Sequence, residues 1–361
     1  MTLLVRNEED ILADQLRLHY ALGVDAVIVT DNNSTDATPE ILREFARDHE
    51  LHIWHEPSNA YEQSAWVTRM ARHAVELGAD WVINADADEF HWPEASALKD
   101  VFAAVPDRYG VLEMEVSHFV PTSDGPGAWH ERLRLRERHS AKASGGSFVR
   151  NVAHRAHPDV VVHGGNHRIS GAALEQLPGW RPVTVLHFPI RSYEQYERKI
   201  AGGGGNYTGG RSIWVPGERE SGMSRIYQEG RLWESYAAKR VDDAAAAEAL
   251  RSGRLVLDER LSRFLAGGAG PPEPTPAGGV LAYPDDPPAV AELRVACAQA
   301  IYLADRDPLR ARVARLERSL EKARTRAAEM KERAAALKGA NNELKKARAL
   351  NAQGESSARR C

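Results

Sequence analysis

Asp86, Asp88 and Glu89 close the short apolar run Trp81-Val82-Ile83-Asn84-Ala85 and put three acids within four positions. Such a run buries readily, but ending it in three carboxylates makes sense only where a strand emerges into a cleft. In an open α/β sheet, ligands bind outside the carboxyl ends of the strands. Side chains alternate along a strand, so Asp86 and Asp88 point the same way if the extended geometry continues. Two hard oxygen donors side by side suit Mg²⁺ or Mn²⁺ that is also held by substrate phosphates. The bland alternative for an isolated Asp-x-Asp is a solvated strand end.

Two further polar loops follow strand-type segments. Arg6-Asn7-Glu8 succeeds Thr2-Leu3-Leu4-Val5, and Asp31-Asn32-Asn33-Ser34-Thr35-Asp36 succeeds Ala26-Val27-Ile28-Val29-Thr30. Three such loops converging on one site are a stronger signal than any one alone. Asp31 can accept hydrogen bonds from a base or a ribose, and Asp36 is equally suited to capping its own turn.

Positioning these loops requires a sheet. The segment after Arg6–Asp10 predicts a helix with Leu12, Leu16, His19 and Tyr20 on one face, stopped by Gly23. Thr38 and Pro39 predict an N-cap and a first helical residue, with Ile41, Leu42 and Phe45 turned inward. Residues 51–55 read as a third strand, and residues 61–77 as a helix carrying Trp66, Met70 and Ala74 on one face. Strand and helix alternating at this spacing argue for an α/β fold with a parallel sheet covered on both faces. Beyond residue 100 the pattern weakens. Residues 111–116, 159–163 and 183–188 read as strands, with an Arg- and His-rich connection between the first two and a short helix near 192–200. Gly202 to Gly205 lacks the Gly-Lys-Ser/Thr of a phosphate-cradling loop, and residues 219–262 read as helical.

Composition narrows the function. The 361 residues carry 47 basic and 51 acidic side chains, a formal net charge of −4, so no global field favours nucleic acid or a membrane surface. Cys297 and Cys361 form neither a disulfide framework nor a metal-ligand spacing. No run approaches about 18 apolar residues, and the expectation is a soluble, cytoplasmic protein with no transmembrane segment. The organisation expected is a domain over 1–205 (1–100 nucleotide-binding, 101–205 acceptor side), a helical region over 206–266, a Pro/Gly linker over 267–288, and a helix with a coiled coil over 289–351. Val313, Leu320, Ala327, Ala334 and Asn341 fall at a positions, and Leu316, Ala323, Met330, Leu337 and Leu344 at d, a pattern that suits a homodimer. The many core Ala residues leave open a lone helix packed on the domain.

The runs Val5-Arg6-Asn7-Glu8, Asp31-Asn32-Asn33-Ser34-Thr35-Asp36-Ala37-Thr38 and Asp86-Ala87-Asp88-Glu89-Phe90 resemble those of family 2-type glycosyltransferases, and more narrowly a bacterial subgroup whose acidic motif continues into Glu-Phe. The resemblance covers residues 1 to about 100 firmly and 101 to about 205 loosely. It implies the GT-A, Rossmann-like fold of nucleotide-diphospho-sugar transferases, a Mn²⁺ or Mg²⁺ cofactor, a nucleotide-diphospho-sugar donor and a glycan or other hydroxyl acceptor. It further implies that Asp88 contacts the metal on the donor diphosphate, that Asp86 contacts the ribose or the metal, and that Asp31 sits by the nucleobase. Arg6, Asn7, Glu8 and Arg69 join the donor-binding candidates, the two arginines as phosphate clamps. A later histidine completes the metal site in such enzymes; His187 has the strand-end setting, supported by the Arg-Ser-x-x-Gln-x-x-Arg-Lys pattern at 191–199, with His163 and His167 as competitors. The family inverts the anomeric carbon in one displacement with a carboxylate base. Here no clean match exists, and Glu115, Asp159 and His167 stay open. Lys142 and Arg155 are candidates for the acceptor side.

Other classes fit less well. An Asp-nucleophile hydrolase wants Thr or Val where Phe90 stands, and a nucleotidyltransferase wants a Gly-rich loop where Arg6-Asn7-Glu8-Glu9 stands. A glycosidase needs carboxylates on opposite sides of a sugar. The alternative from another class is a non-catalytic GT-A-like module that binds a nucleotide sugar or a partner and acts through the coiled coil.

Overall fold

The computed structural model describes residues 1–58, 62–95, 97–122, 125–138, 150–201, 225–267 and 290–304. The chain divides into two compact units, Met1–Ile301 and Tyr302–Cys361. Every strand and helix given a label here belongs to the first.

The first half alternates as expected: β1 (Thr2–Val5), α1 (Leu12–Ala21), β2 (Ala26–Asp31), α2 (Thr38–Phe45), β3 (Glu50–His55), α3 (Gln63–Glu76) and β4 (Trp81–Asp86). β1 lies between β2 and β4, parallel to both, with Val5 beside Asp31 and Leu4 beside Asp86. That register brings the three polar loops out along one edge of the sheet. Alternation sorts the apolar side chains onto two faces. Leu3, Val5, Val27 and Val29 meet Leu12, Leu16, Leu18 and Leu22 around α1, whereas Leu4, Ile28 and Val82 meet Trp66, Val67, Met70 and Ala74 of α3. Gly23 follows α1 at φ +85°, the left-handed geometry that ends a helix without a Cβ clash.

The second half departs from an all-parallel sheet. It contains β5 (Glu89–Pro93), α4 (Leu98–Ala103), β6 (Tyr109–His118), α5 (Trp129–Arg132), β7 (Leu135–Glu137), β8 (Arg150–Arg155), β9 (Val161–Val162), β10 (Ile169–Ser170), β11 (Glu175–Gln176), β12 (Val183–His187) and α6 (Tyr193–Ala201). The main sheet runs β3-β2-β1-β4-β8-β6-β12-β5, with β11 beside β6. β8 is antiparallel to both β4 and β6, and β5 is antiparallel to β12. The sheet is therefore mixed: parallel over β3-β2-β1-β4, antiparallel on both sides of β8, and parallel again where β6 meets β12 and β11.

β8 falls inside the stretch read as a connection. Its sequence, Arg-Asn-Val-Ala-His-Arg, hides a central strand because Asn151 and His154 are buried along with Val152 and Ala153. The strand expected at 159–163 shortens to Val161–Val162. The helical reading of 219–262 holds for Leu232–Lys239, Asp243–Arg251 and Arg260–Leu265, but β13 (Leu255–Leu257) interrupts it and pairs with β7. Val290, Leu293 and Cys297, on the helix at 290–304, pack into the main core, so the C-terminal region begins as part of the first unit. The heptads at 313–344, Gly202–Gly205, Lys142 and nearly all of the 267–288 segment lie outside the described residues. Among the described residues no helix is long and apolar enough to cross a membrane.

Candidate functional site

β4 ends at Asp86, Ala87 and Asp88 form a turn, and β5 starts at Glu89. The extended geometry that would align Asp86 with Asp88 is thus broken; a tight turn carries the chain from β4 to β5, which pairs with β12 and not with β4. Asp88 is buried. Its Oδ2 accepts from Lys199 Nζ at 3.2 Å, and its Oδ1 lies 3.5 Å from His187 Nε2. The antiparallel ladder fixes this approach: His187 pairs with Glu89, and the Phe188 N–H donates to the Asp88 carbonyl at 2.9 Å.

The three acids differ in charge. Burial, then the neighbouring Asp88, pushes the Asp86 carboxyl up to about 6. Burial, then Asp86 and Asp88, holds Glu89 well above the ordinary carboxylate range. Burial alone would raise Asp88 too, but the Lys199 ammonium and His187 outweigh it and hold Asp88 well below that range. Asp88 is the most acidic of the three. Asp86 accepts from Gln63 Nε2 at 3.1 Å and Asn166 Nδ2 at 3.2 Å. Asn151 Nδ2 donates to Glu89 Oε1 at 2.8 Å.

His187 leans on a second imidazole, its Nδ1 lying 2.8 Å from Nδ1 of His118. Burial, then His187, pushes His118 down to about 3, so it is neutral at pH 7. Two facing nitrogens need one proton between them. The contact that holds Asp88 down has a proton on His187 Nε2; a metal ligand would instead require the tautomer with the proton on Nδ1 and the Nε2 lone pair turned to the ion. Among the described residues no three His, Cys, Asp or Glu side chains converge as a ready-made metal cage. Asp88, His187 and the nearby Asp86 suit a cation that keeps water and phosphate oxygens in its shell, as Mg²⁺ and Mn²⁺ do.

The first polar loop is tied largely to the second. Asn7 takes φ +55°, and its Oδ1 accepts the Thr35 N–H at 2.7 Å while its own N–H donates to Ser34 Oγ. Glu8 N–H donates to Thr38 Oγ1, and the Thr38 N–H to Asp36 Oδ1. Thr38 is thus the first residue of α2 and not its N-cap, a position that Ala37 holds without a side-chain cap, while Asp36 takes the Thr38 N–H from one residue earlier. The Glu8 carboxylate is buried against Arg191 Nη2 at 2.5 Å, and burial outweighs Arg191 and Lys199 to push it up to about 7. Arg191, itself buried, also grips Asp10 at 2.7 Å and donates to the Phe188 carbonyl at 3.1 Å. Asp31 Oδ1 accepts the Ser34 N–H at 3.1 Å, and its Oδ2 lies 3.7 Å from His55 Nδ1. Arg6 Nη1 reaches Asn32 Oδ1 at 3.4 Å.

The structure thus sets Asp88 beside His187, with Asp86 and Glu8 joined to them electrostatically and Arg6 and Asp31 along the same sheet edge. Arg69 lies over the Trp54 ring at 5.0 Å and 3.8 Å from Glu56, lining an open groove with Trp54, Arg72, His73 and Glu76. Of the base candidates, Asp159 is exposed in a turn, its backbone N–H held by His157, and Glu115 lies on β6 opposite Thr184 and Arg150. His167 is linked to the acids: its Nδ1 lies 2.9 Å from Asn151 Oδ1, and Asn151 holds Glu89. His163, a competitor of His187, instead pairs with Ser170 Oγ. Arg155, placed by sequence on the acceptor side, packs on Trp81 and bonds the Tyr109 carbonyl. Sequence reasoning missed Gln63, Asn151, Asn166 and His118, none of which carries a local signal. Arg191 and Lys199 did lie within the 191–199 pattern.

A 3-2-1-4 parallel half-sheet with acids at its carboxyl edge defines the nucleotide-binding class of α/β proteins. Residues 3–135 match the model of glycosyl transferase family 2, and this stretch of the chain is consistent with a family 2, GT-A type glycosyltransferase domain. The search of curated proteins found no match. Among solved structures the chain is similar to S. aureus TarS 1-349 in complex with UDP, at 13% identity over 63% of this chain and 69% of that one, TM-score 0.32. It is also similar to full S. aureus TarS, at 12% identity over 63% and 42%, TM-score 0.30, and to TarS 1-349 in complex with UDP-GlcNAc, at 14% over 63% and 70%, TM-score 0.29. These likenesses are too slight to add to the family match.

Proposed function

We propose that this glycosyltransferase uses a divalent cation to move a sugar from a nucleotide-diphospho-sugar to an acceptor hydroxyl with inversion. The observation that carries the reading is the buried, ionised Asp88 set beside His187 at the edge where the three polar loops emerge. Asp88 and His187 are the residues suited to hold Mn²⁺ or Mg²⁺, with Asp86 close by. When bound, the ion supplies charge stabilisation to the departing nucleoside diphosphate, a contribution of several kcal/mol that needs no proton transfer. Asp31 and Asn32 orient the nucleoside end, and Arg6 offers a cation to the diphosphate.

His167 is the base candidate the geometry favours. Its Nδ1 faces two acceptors, the Arg150 carbonyl at 2.8 Å and Asn151 Oδ1 at 2.9 Å. The ring proton therefore belongs on Nδ1, which leaves Nε2 as the basic nitrogen able to take the acceptor's proton. Cytoplasmic residence and dimerisation through the heptads remain part of this proposal.

The test is thermal unfolding against UDP-, GDP- and other nucleotide sugars, with and without Mn²⁺, on the wild type and Asp88→Ala. Binding to the folded state raises the midpoint by mass action. A rise that requires both metal and Asp88 is expected; a rise of equal size without metal overturns the metal-dependent reading. No response to any donor would favour the non-catalytic module.

A further inference from the structure

Lys199 occupies a position that a metal-binding carboxylate does not ordinarily grant to an ammonium. Its Nζ lies 3.2 Å from Asp88 Oδ2, while the other oxygen of the same carboxylate faces His187 Nε2 at 3.5 Å. Asp88 is almost fully buried, and a buried carboxylate without a cation is strongly unfavourable. Lys199 supplies that cation from the last turn of α6, and its side chain keeps 28% of its surface exposed. It therefore reaches Asp88 along a flexible four-carbon stem that touches solvent. Arg191, on the same side of the site, is a different kind of group: 1% exposed and locked between Glu8 and Asp10.

Resting on the metal-dependent reading above, we propose that Lys199 is a placeholder cation, pairing with Asp88 in the metal-free protein and leaving that carboxylate when the divalent ion arrives. A dication at ordinary Asp–metal distance, about 2.0–2.2 Å, and an ammonium on the other oxygen of the same carboxylate repel strongly at such separations. The ammonium must swing toward solvent or toward an incoming anion. The anion that accompanies the metal on a nucleotide sugar is the diphosphate, so Lys199 passes from Asp88 to the donor's phosphates. Free metal then binds weakly, and metal with nucleotide binds well. The site stays closed to stray divalent ions until its substrate is present.

The experiment is Mn²⁺ titration followed by the electron paramagnetic resonance signal of the free ion, with no turnover involved. Wild type, Lys199→Met, Lys199→Gln and Lys199→Met/Asp88→Asn are compared, each alone and with UDP or GDP. Lys199→Gln keeps a hydrogen-bond donor near Asp88 and guards against loss of fold. Mn²⁺ affinity without nucleotide is expected to rise about tenfold in both single variants, the scale of removing one adjacent like charge, and to vanish with Asp88→Asn. Unchanged or weaker Mn²⁺ binding in both single variants, while the wild type binds Mn²⁺ with nucleotide, overturns the placeholder role alone. Failure of every protein to bind Mn²⁺, with or without nucleotide, overturns the metal reading and the placeholder with it.

Discussion

Two regions of one sheet meet at this site and are built in opposite ways. The region over β1, β2 and β4 makes its own contacts from short, contiguous runs: Asn7 closes on Ser34 and Thr35, Glu8 on Thr38, and Asp31 on Ser34. The region over β8, β12 and α6 delivers single side chains from far along the chain: Asn151 to Glu89, Asn166 to Asp86, His187 and Lys199 to Asp88, and Arg191 to Glu8 and Asp10. The match to family 2 spans 3–135 and stops before the second region. A motif that folds onto itself can be read as a string. A set of residues assembled by strand pairing can be read only as geometry, and it carries the cations and imidazoles on which the acids of the first region depend.

The comparison breaks most visibly if a second-region residue proves indispensable to chemistry. His167→Ala is expected to lower kcat by about 10²- to 10⁴-fold, the range for losing a general base, with the donor KM little changed. Steady-state kinetics against both substrates checks this. A raised donor KM at constant kcat would instead make His167 a donor-side residue.

Arg191→Met tests whether the second region holds the first in place. The substitution keeps much of the volume but leaves Glu8 and part of Asp10 buried without a cation, a loss of about 3–5 kcal/mol when one partner of a buried pair is removed. Denaturant unfolding reads this directly. A loss under about 1 kcal/mol would show the pair to be no stronger than a surface one and the two regions to be held by the sheet alone.

How much could be read in advance follows the same divide. The loops at Arg6–Glu8 and Asp31–Asp36 and the Asp86–Glu89 acids were legible because strand, turn and acid lie next to one another in sequence. The split of Leu3 and Leu4 onto opposite faces was equally legible from period two. β8 was not, because buried Asn151 and His154 make a central strand look like a polar connection. The turn that separates Asp86 from Asp88 was missed for a related reason: Glu-Phe-His-Trp reads as a continuation until its antiparallel partner β12 is known. His187 was singled out because it ends an apolar strand just before the 191–199 pattern. Lys199 and Asn166, on α6 and in a loop, carry no such cue.

A smaller effect concerns the histidines joining α1 to β5. His19 Nδ1 donates to the Gln15 carbonyl at 2.8 Å, and Nε2 accepts the His91 N–H at 3.2 Å. Burial pushes His19 down to about 4, well under its unfolded value near 6.5. The unfolded chain thus binds the extra proton between those values, so the stabilisation is complete above pH 6.5 and is lost as pH falls toward 4. The stability gap between wild type and His19→Asn should narrow by roughly 2 kcal/mol from pH 7 to pH 4.5. A gap independent of pH would place the acid sensitivity elsewhere, for example at His118 or His154, which burial also depresses.

The smallest effect sharpens the picture of the first region as self-contained. Asn7 stands at φ +55°, where an L-residue other than Asn or Asp is held at a cost of about 1–2 kcal/mol, and its side chain closes the two loops through Thr35. Asn7→Gly relieves the backbone constraint and loses only the side-chain hydrogen bond, worth about 0.5–1.5 kcal/mol. Asn7→Ala loses the bond and keeps the strain. Asn7→Ala should therefore be the less stable of the two by about 1 kcal/mol, with a weaker donor response in both because Arg6 is carried on the same turn. Equal losses in the two variants would mean that the Thr35 contact alone selects Asn here, and that the turn adapts its backbone when the side chain is removed.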